Sequence, residues 1–126
     1  MPTNIKIVIN DITLKAQLFD TECAKKIVNV LPIEARPNEW GDEFYFPIPV
    51  EFGLDETATI DVNTGDIGYW PQGSCLAIFF GPTPLSTGNK PVPAGKVNIV
   101  GRVNDDPKIL VHTKGATKIT LIEMKD

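Results

Sequence analysis

The chain has 126 residues, 42% of them hydrophobic, and a net charge of -4. That length suits one domain over residues 1–126, and the acidic balance, with only Arg36 and Arg102 as arginines, excludes the basic stripe of a nucleic-acid surface. Two isolated cysteines (Cys23 and Cys75), a start without a secretory pattern and no apolar run near the roughly 20 residues of a membrane span predict a reduced, cytosolic protein without membrane contact.

In chain order, Ile5, Ile7 and Ile9 alternate with Lys6, Val8 and Asn10, and Ile12, Leu14, Ala16 and Leu18 alternate beyond the turn pair Asn10-Asp11. This is a β-hairpin pattern. Asp20-Thr21 offers a helix cap, and Ala24, Ile27, Val28 and Leu31 follow at helical spacing up to Pro32, which predicts a helix over about 21–31. From Pro32 to Pro49 the chain is irregular, with a short strand at Phe44-Tyr45-Phe46. Thr57, Thr59, Ile60 and Val62 suggest another strand, and two more are expected at about 67–70 and 75–80, joined by Pro71-Gln72-Gly73-Ser74. Pro82 to Gly95 reads as a long loop, a flap over one end of a barrel. Val97, Ile99 and Val103 form a strand, Lys108 to Thr113 fits a strand or a short helix, and Ile119 to Met124 forms the last strand. About eight short strands and one helix predict a closed or nearly closed β-barrel with the helix capping one end.

No catalytic signature stands out. His112 is the single histidine, and Ser74 lacks the nucleophile elbow because position 76 is Leu. One histidine and two distant cysteines do not make a metal site, and neither a phosphate loop nor GxGxxG occurs, so no cofactor is expected. Two aromatic blocks rise above the background. Glu39-Trp40-Gly41-Asp42-Glu43-Phe44-Tyr45-Phe46 sets acids among aromatics, and a carboxyl buried near Trp40 would titrate high. The other reading is that Trp40 plugs the barrel end while the acids face water. Gly65 to Gly81 carries Tyr69, Trp70, Phe79 and Phe80 around the turn at 71–74. Such an aromatic hairpin builds a core wall or a pocket wall.

The segments Trp40-Gly41-Asp42-Glu43-x-Tyr45-Phe46-x-x-Pro49-Val50, Gly65-Asp66-x-Gly68-Tyr69-Trp70-Pro71-x-Gly73 and Phe79-Phe80-Gly81-x-Thr83-Pro84 resemble the small cyclophilin-like proteins of bacteria and archaea, whose function is largely unassigned. The resemblance covers nearly the whole chain and implies a closed eight-stranded cyclophilin-like barrel with one capping helix. It matches the cyclophilin helix to Thr21–Leu31, the groove phenylalanine to Phe80, the groove edge to Tyr69-Trp70-Pro71-Gln72 and a following strand to Val100-Gly101-Arg102-Val103. It also implies prolyl-isomerase chemistry, which needs an arginine. The corresponding stretch here, Phe44-Tyr45-Phe46-Pro47, has none, and Arg36 lies upstream in a proline-flanked loop.

The expected function is therefore non-catalytic binding of a small molecule or a proline-containing peptide in an aromatic groove of Trp40, Glu43, Tyr45, Trp70, Gln72 and Phe80. The alternative is a weak or diverged peptidyl-prolyl isomerase that recruits Arg36 or Arg102. A homo-oligomer with the aromatics at its interface, and a small enzyme using the acids around Trp40, stay open.

Overall fold

Alternation of period two builds the first hairpin of the structure, a computed structural model describing residues 1–125. In β1 (Thr3–Ile9) and β2 (Ile12–Leu18), Ile5, Ile7, Ile9, Leu14, Ala16 and Leu18 are buried, while Lys6 and Lys15 face water. Asn10 takes the left-handed conformation (φ 54) in the two-residue turn. Helix α1 (Glu22–Val28) follows, capped by Thr21, whose hydroxyl accepts from the Ala24 N–H at 3.1 Å. It buries Cys23, Ala24 and Ile27. The regular helix is shorter than the 21–31 expected. It ends at Val28, and the tighter turns Val30 N–H to Ile27 and Leu31 N–H to Val28 lead into Pro32, which cannot continue a helix.

The remaining strands are β3 (Ile33–Ala35), β4 (Asn38–Glu39), β5 (Glu43–Pro47), β6 (Asp66–Trp70), β7 (Cys75–Phe79), β8 (Asn98–Val103) and β9 (Ile119–Glu123). They form one antiparallel sheet in the order β3-β9-β1-β2-β8-β6-β7-β5-β4. The expected closed eight-stranded barrel is thus corrected. The fold is mainly β with two short helices, and the curled sheet forms a half-barrel. Its edge strands β3 and β4 have three and two residues and are consecutive in the chain. Arg36-Pro37 joins them, Pro37 has no N–H to donate, and the hydrogen-bonded ladder ends there.

Two other ambiguous segments resolve. Pro107–Thr113 is a 3-10 helix, begun by Pro107 and capped by Asp106, whose carboxylate accepts from the Lys108 N–H. The strand expected near 57–62 reduces to a single bridge between Thr59 and Val97. Side chains take the local backbone donors instead. Asp55 accepts from the Thr57 N–H at 2.8 Å, Asn98 from the Asp55 N–H at 2.9 Å, and Thr57 from the Ile99 N–H at 3.0 Å.

The main core fills one face of the sheet with residues such as Ile5, Ile7, Leu18, Phe44, Phe46, Ile67, Leu76 and Ile78, closed by α1. Phe44 and Phe80 meet with ring centroids 4.7 Å apart, and the buried Tyr69 hydroxyl donates to the Val50 carbonyl. A separate cluster of Val62, Ala77, Phe79 and Val97, flanked by Tyr45, Trp70 and Ile99, lies outside this core.

Candidate functional site

The alternation of β5, β6 and β7 divides their side chains between these two clusters. Phe44 and Phe46, Leu76 and Ile78, and Ile67 and Tyr69 enter the main core. Glu43 and Tyr45, Ala77 and Phe79, and Gly68 and Trp70 take the opposite face. Register then brings them together: Glu43 is paired with Phe79 and Tyr45 with Ala77, while Ala77 also pairs with Gly68. A β-carbon on Gly68 would come within 2.9 Å of Val97 Cγ2, so the missing side chain lets Val97 lie across the sheet. With Pro93, Ala94 and Gly95 along one side and Trp40 at the β4–β5 turn, these groups enclose a cavity of about 250 Å³.

A glycine lies beside each of the two indoles. Gly41 takes φ 62, and a β-carbon there would sit 2.9 Å from Pro82 O and Thr83 Cα. The turn carrying Trp40 is thereby pressed against 82–84, where the Asp42 N–H donates to Pro82 O and the Phe80 N–H to Asp42 O, both at 2.9 Å. Outside it, Asp42 pairs with Lys114, and Glu39 accepts from the Gly115 N–H at 2.6 Å. The Trp70 ring rests on Gly73, where a β-carbon would meet Cζ3 at 2.9 Å. The 82–95 loop is tied by the Thr83 hydroxyl donating to Val92 O and the Ser86 hydroxyl donating to Lys90 O.

Electrostatically the cavity is lopsided. Glu43 is 8% exposed, and its Oε1 is shut from solvent without a hydrogen-bond partner. Burial pushes its carboxyl up to about 7. Burial and, second, the Glu43 charge push the Cys75 thiol up. None of the lining residues is a lysine or an arginine.

Of the groove residues expected from sequence, Trp40, Glu43, Tyr45 and Trp70 line this cavity together. Gln72 does not: it is exposed in the turn between β6 and β7. Phe80 does not either. It stacks on Phe44 in the main core, and Phe79, one residue earlier, provides the wall. A shift of one residue along a strand exchanges faces, so matching a groove phenylalanine to Phe80 placed it on the wrong side. Arg36 is exposed in the β3–β4 link and Arg102 pairs with Asp66 at 3.1 Å, so neither lines the cavity. His112 is exposed on the 3-10 helix. Sequence reasoning did not place Ala77, Phe79 or 93–95 in the groove. The alternation around Leu76 and Ile78 could have found the first two, whereas the loop residues carry no periodic signal. Both cysteines are free. Among the described residues no group of three or more His, Cys, Asp or Glu could hold a metal, and no helix is long and apolar enough to cross a membrane.

The half-barrel fold has known counterparts. A family model described as cyclophilin-like matches residues 3–122, and the chain belongs to that family. The solution structure of the hypothetical protein AF2241 from Archaeoglobus fulgidus superposes with a TM-score of 0.80 at 28% identity, covering 98% of this chain and 95% of that one. McbB in complex with tryptophan superposes with a TM-score of 0.68 at 17% identity, covering 97% of this chain and 45% of McbB. The McbB likeness carries the fold alone. No curated protein matches the chain.

Proposed function

We infer that the protein binds a small organic molecule in the cavity beside β5, β6 and β7. The observation that carries this reading is an open space of about 250 Å³ walled by Trp40, Tyr45, Trp70 and Phe79, with one carboxyl among them. Protein interiors are otherwise close-packed, and apolar clefts with a few placed polar groups are the usual form of a ligand site. The volume lies just below the range of sites for drug-sized molecules, which favours a compact ligand over a peptide segment. Prolyl isomerisation calls for a donor that stabilises the twisted amide against a barrier of roughly 18–20 kcal/mol. With Arg36 and Arg102 both away from the cavity, the arrangement supports binding rather than isomerase chemistry.

The test uses the chain's two tryptophans, both on the cavity, as reporters. Benzyl alcohol is titrated to about 10 mM, a range that detects affinities as weak as millimolar, while the two indole N–H signals are followed by nuclear magnetic resonance. Saturable shifts confined to these signals and to β5, β7 and 93–97 are expected, and Ala77→Leu, which fills the cavity, should abolish them. Signals that stay in place throughout the titration would overturn the reading.

A further inference from the structure

The cavity has one feature its own walls do not answer. Glu43 Oε1 is buried with no hydrogen-bond partner, although a buried polar oxygen is normally paired and an unpaired one is destabilising. No cation among the lining residues supplies the missing interaction. The neighbouring acid, Asp42, has its own cation in Lys114. Cys75 is paired with Pro47, at the opposite end of the β5–β7 ladder from Glu43, and its thiol brings no positive charge. The Tyr45 phenol lies on the same wall. Trp40, Trp70 and Phe79 line the same cavity, and the negative quadrupole of an aromatic ring face attracts cations and repels anions.

Building on the small-molecule reading above, we propose that the ligand is a small organic amine, its apolar body held by Trp40, Tyr45, Trp70 and Phe79 and its ammonium donating to the Glu43 carboxylate. The carboxylate supplies charge and direction, the rings supply area and cation–π attraction, and the ligand supplies the donor that the protein leaves out. An anionic molecule of the same shape meets the same carboxylate as repulsion. Because the carboxyl titrates near 7, the amine site is mostly uncharged at pH 6 and mostly charged at pH 8. Amine affinity therefore rises with pH, by about tenfold over that interval.

Benzylamine, benzyl alcohol and benzoate share one ring and carry charges of opposite sign or none, so they separate the class of ligand from the existence of the site. At pH 8 benzylamine should bind roughly tenfold or more tightly than benzyl alcohol, as a charge-assisted hydrogen bond implies, and benzoate most weakly. Glu43→Gln should bring the ratio of benzylamine to benzyl alcohol affinity close to one. The pH series on the unaltered protein tests the same point without a substitution. If benzyl alcohol binds and benzylamine has no advantage, or its advantage survives Glu43→Gln or is flat from pH 6 to pH 8, the amine assignment falls while the cavity reading stands. If none of the three binds, both fall.

Discussion

The two faces of β5, β6 and β7 are built by adjacent residues of the same strands, yet they obey different rules. On the core face Phe44, Phe46, Ile67, Leu76 and Ile78 are fully buried, and the one polar group, the Tyr69 hydroxyl, has its partner in Val50 O. On the other face Glu43, Tyr45, Ala77 and Trp70 surround empty space, and a buried carboxyl oxygen has no partner. Packing and polar satisfaction, which agree everywhere on the first face, are both relaxed on the second. Local violations of this kind are where function is expected, because a site must leave room and unsatisfied groups for something else to complete.

The widest test of the contrast is truncation on each face. Phe44→Ala removes a fully buried ring that stacks on Phe80, and a loss of about 3–5 kcal/mol is expected from denaturant unfolding. Trp70→Ala removes a larger but partly exposed side chain that borders space already open, and roughly 1–2 kcal/mol is expected. Equal losses would mean that the second face is packed as core and that the cavity is no weak point.

Next in size is the charge. Glu43 has its carboxyl raised from about 4.5 to about 7 by burial. Below pH 4.5 the folded and unfolded chains are both protonated there and the group has no effect. Between 4.5 and 7 the unfolded chain gives up its proton first, so stability falls as pH rises, and above 7 the loss is complete. The whole change is about 3 kcal/mol. Unfolding measured from pH 4 to pH 8 should show this decline, and Glu43→Gln should lack it. Parallel pH profiles for the two proteins would show that Glu43 is solvated and would erase the electrostatic half of the contrast.

How much of this was legible in the sequence follows from the same division. The first hairpin was readable because Ile5, Ile7, Ile9 and their partners in β2 alternate without interruption, and the helix start because Thr21 is a capping residue. The edge strands were not, since three and two residues are too short to show a period. Trp40, Glu43, Tyr45 and Trp70 could be singled out as aromatics and an acid clustered in sequence. The division between Phe79 and Phe80 depends on register, and Val97 reaches the site only because Gly68 makes room for it.

That last contact gives a smaller effect. Gly68→Ala sets a methyl group 2.9 Å from Val97 Cγ2, against the floor of the cavity. Displacement of Val97 should destabilise the fold by about 1–3 kcal/mol and alter the binding of benzyl alcohol more than any change on the core face of the same size does. Unchanged stability together with unchanged binding would show that Val97 does not define the floor.

The smallest effect concerns what fixes Trp40. Its turn has two kinds of support: backbone hydrogen bonds from Asp42 to Pro82 and from Phe80 to Asp42, and the outer ion pair of Asp42 with Lys114. The ion pair is partly exposed, so it is screened by water and salt and contributes less than about 1 kcal/mol. Lys114→Met should therefore leave unfolding free energy nearly unchanged and the Trp40 indole N–H signal in place. A moved Trp40 signal in Lys114→Met would assign the placement of that ring to a surface charge rather than to the Gly41 turn. The cavity's outer wall would then respond to ionic strength, which the close-packed core face does not.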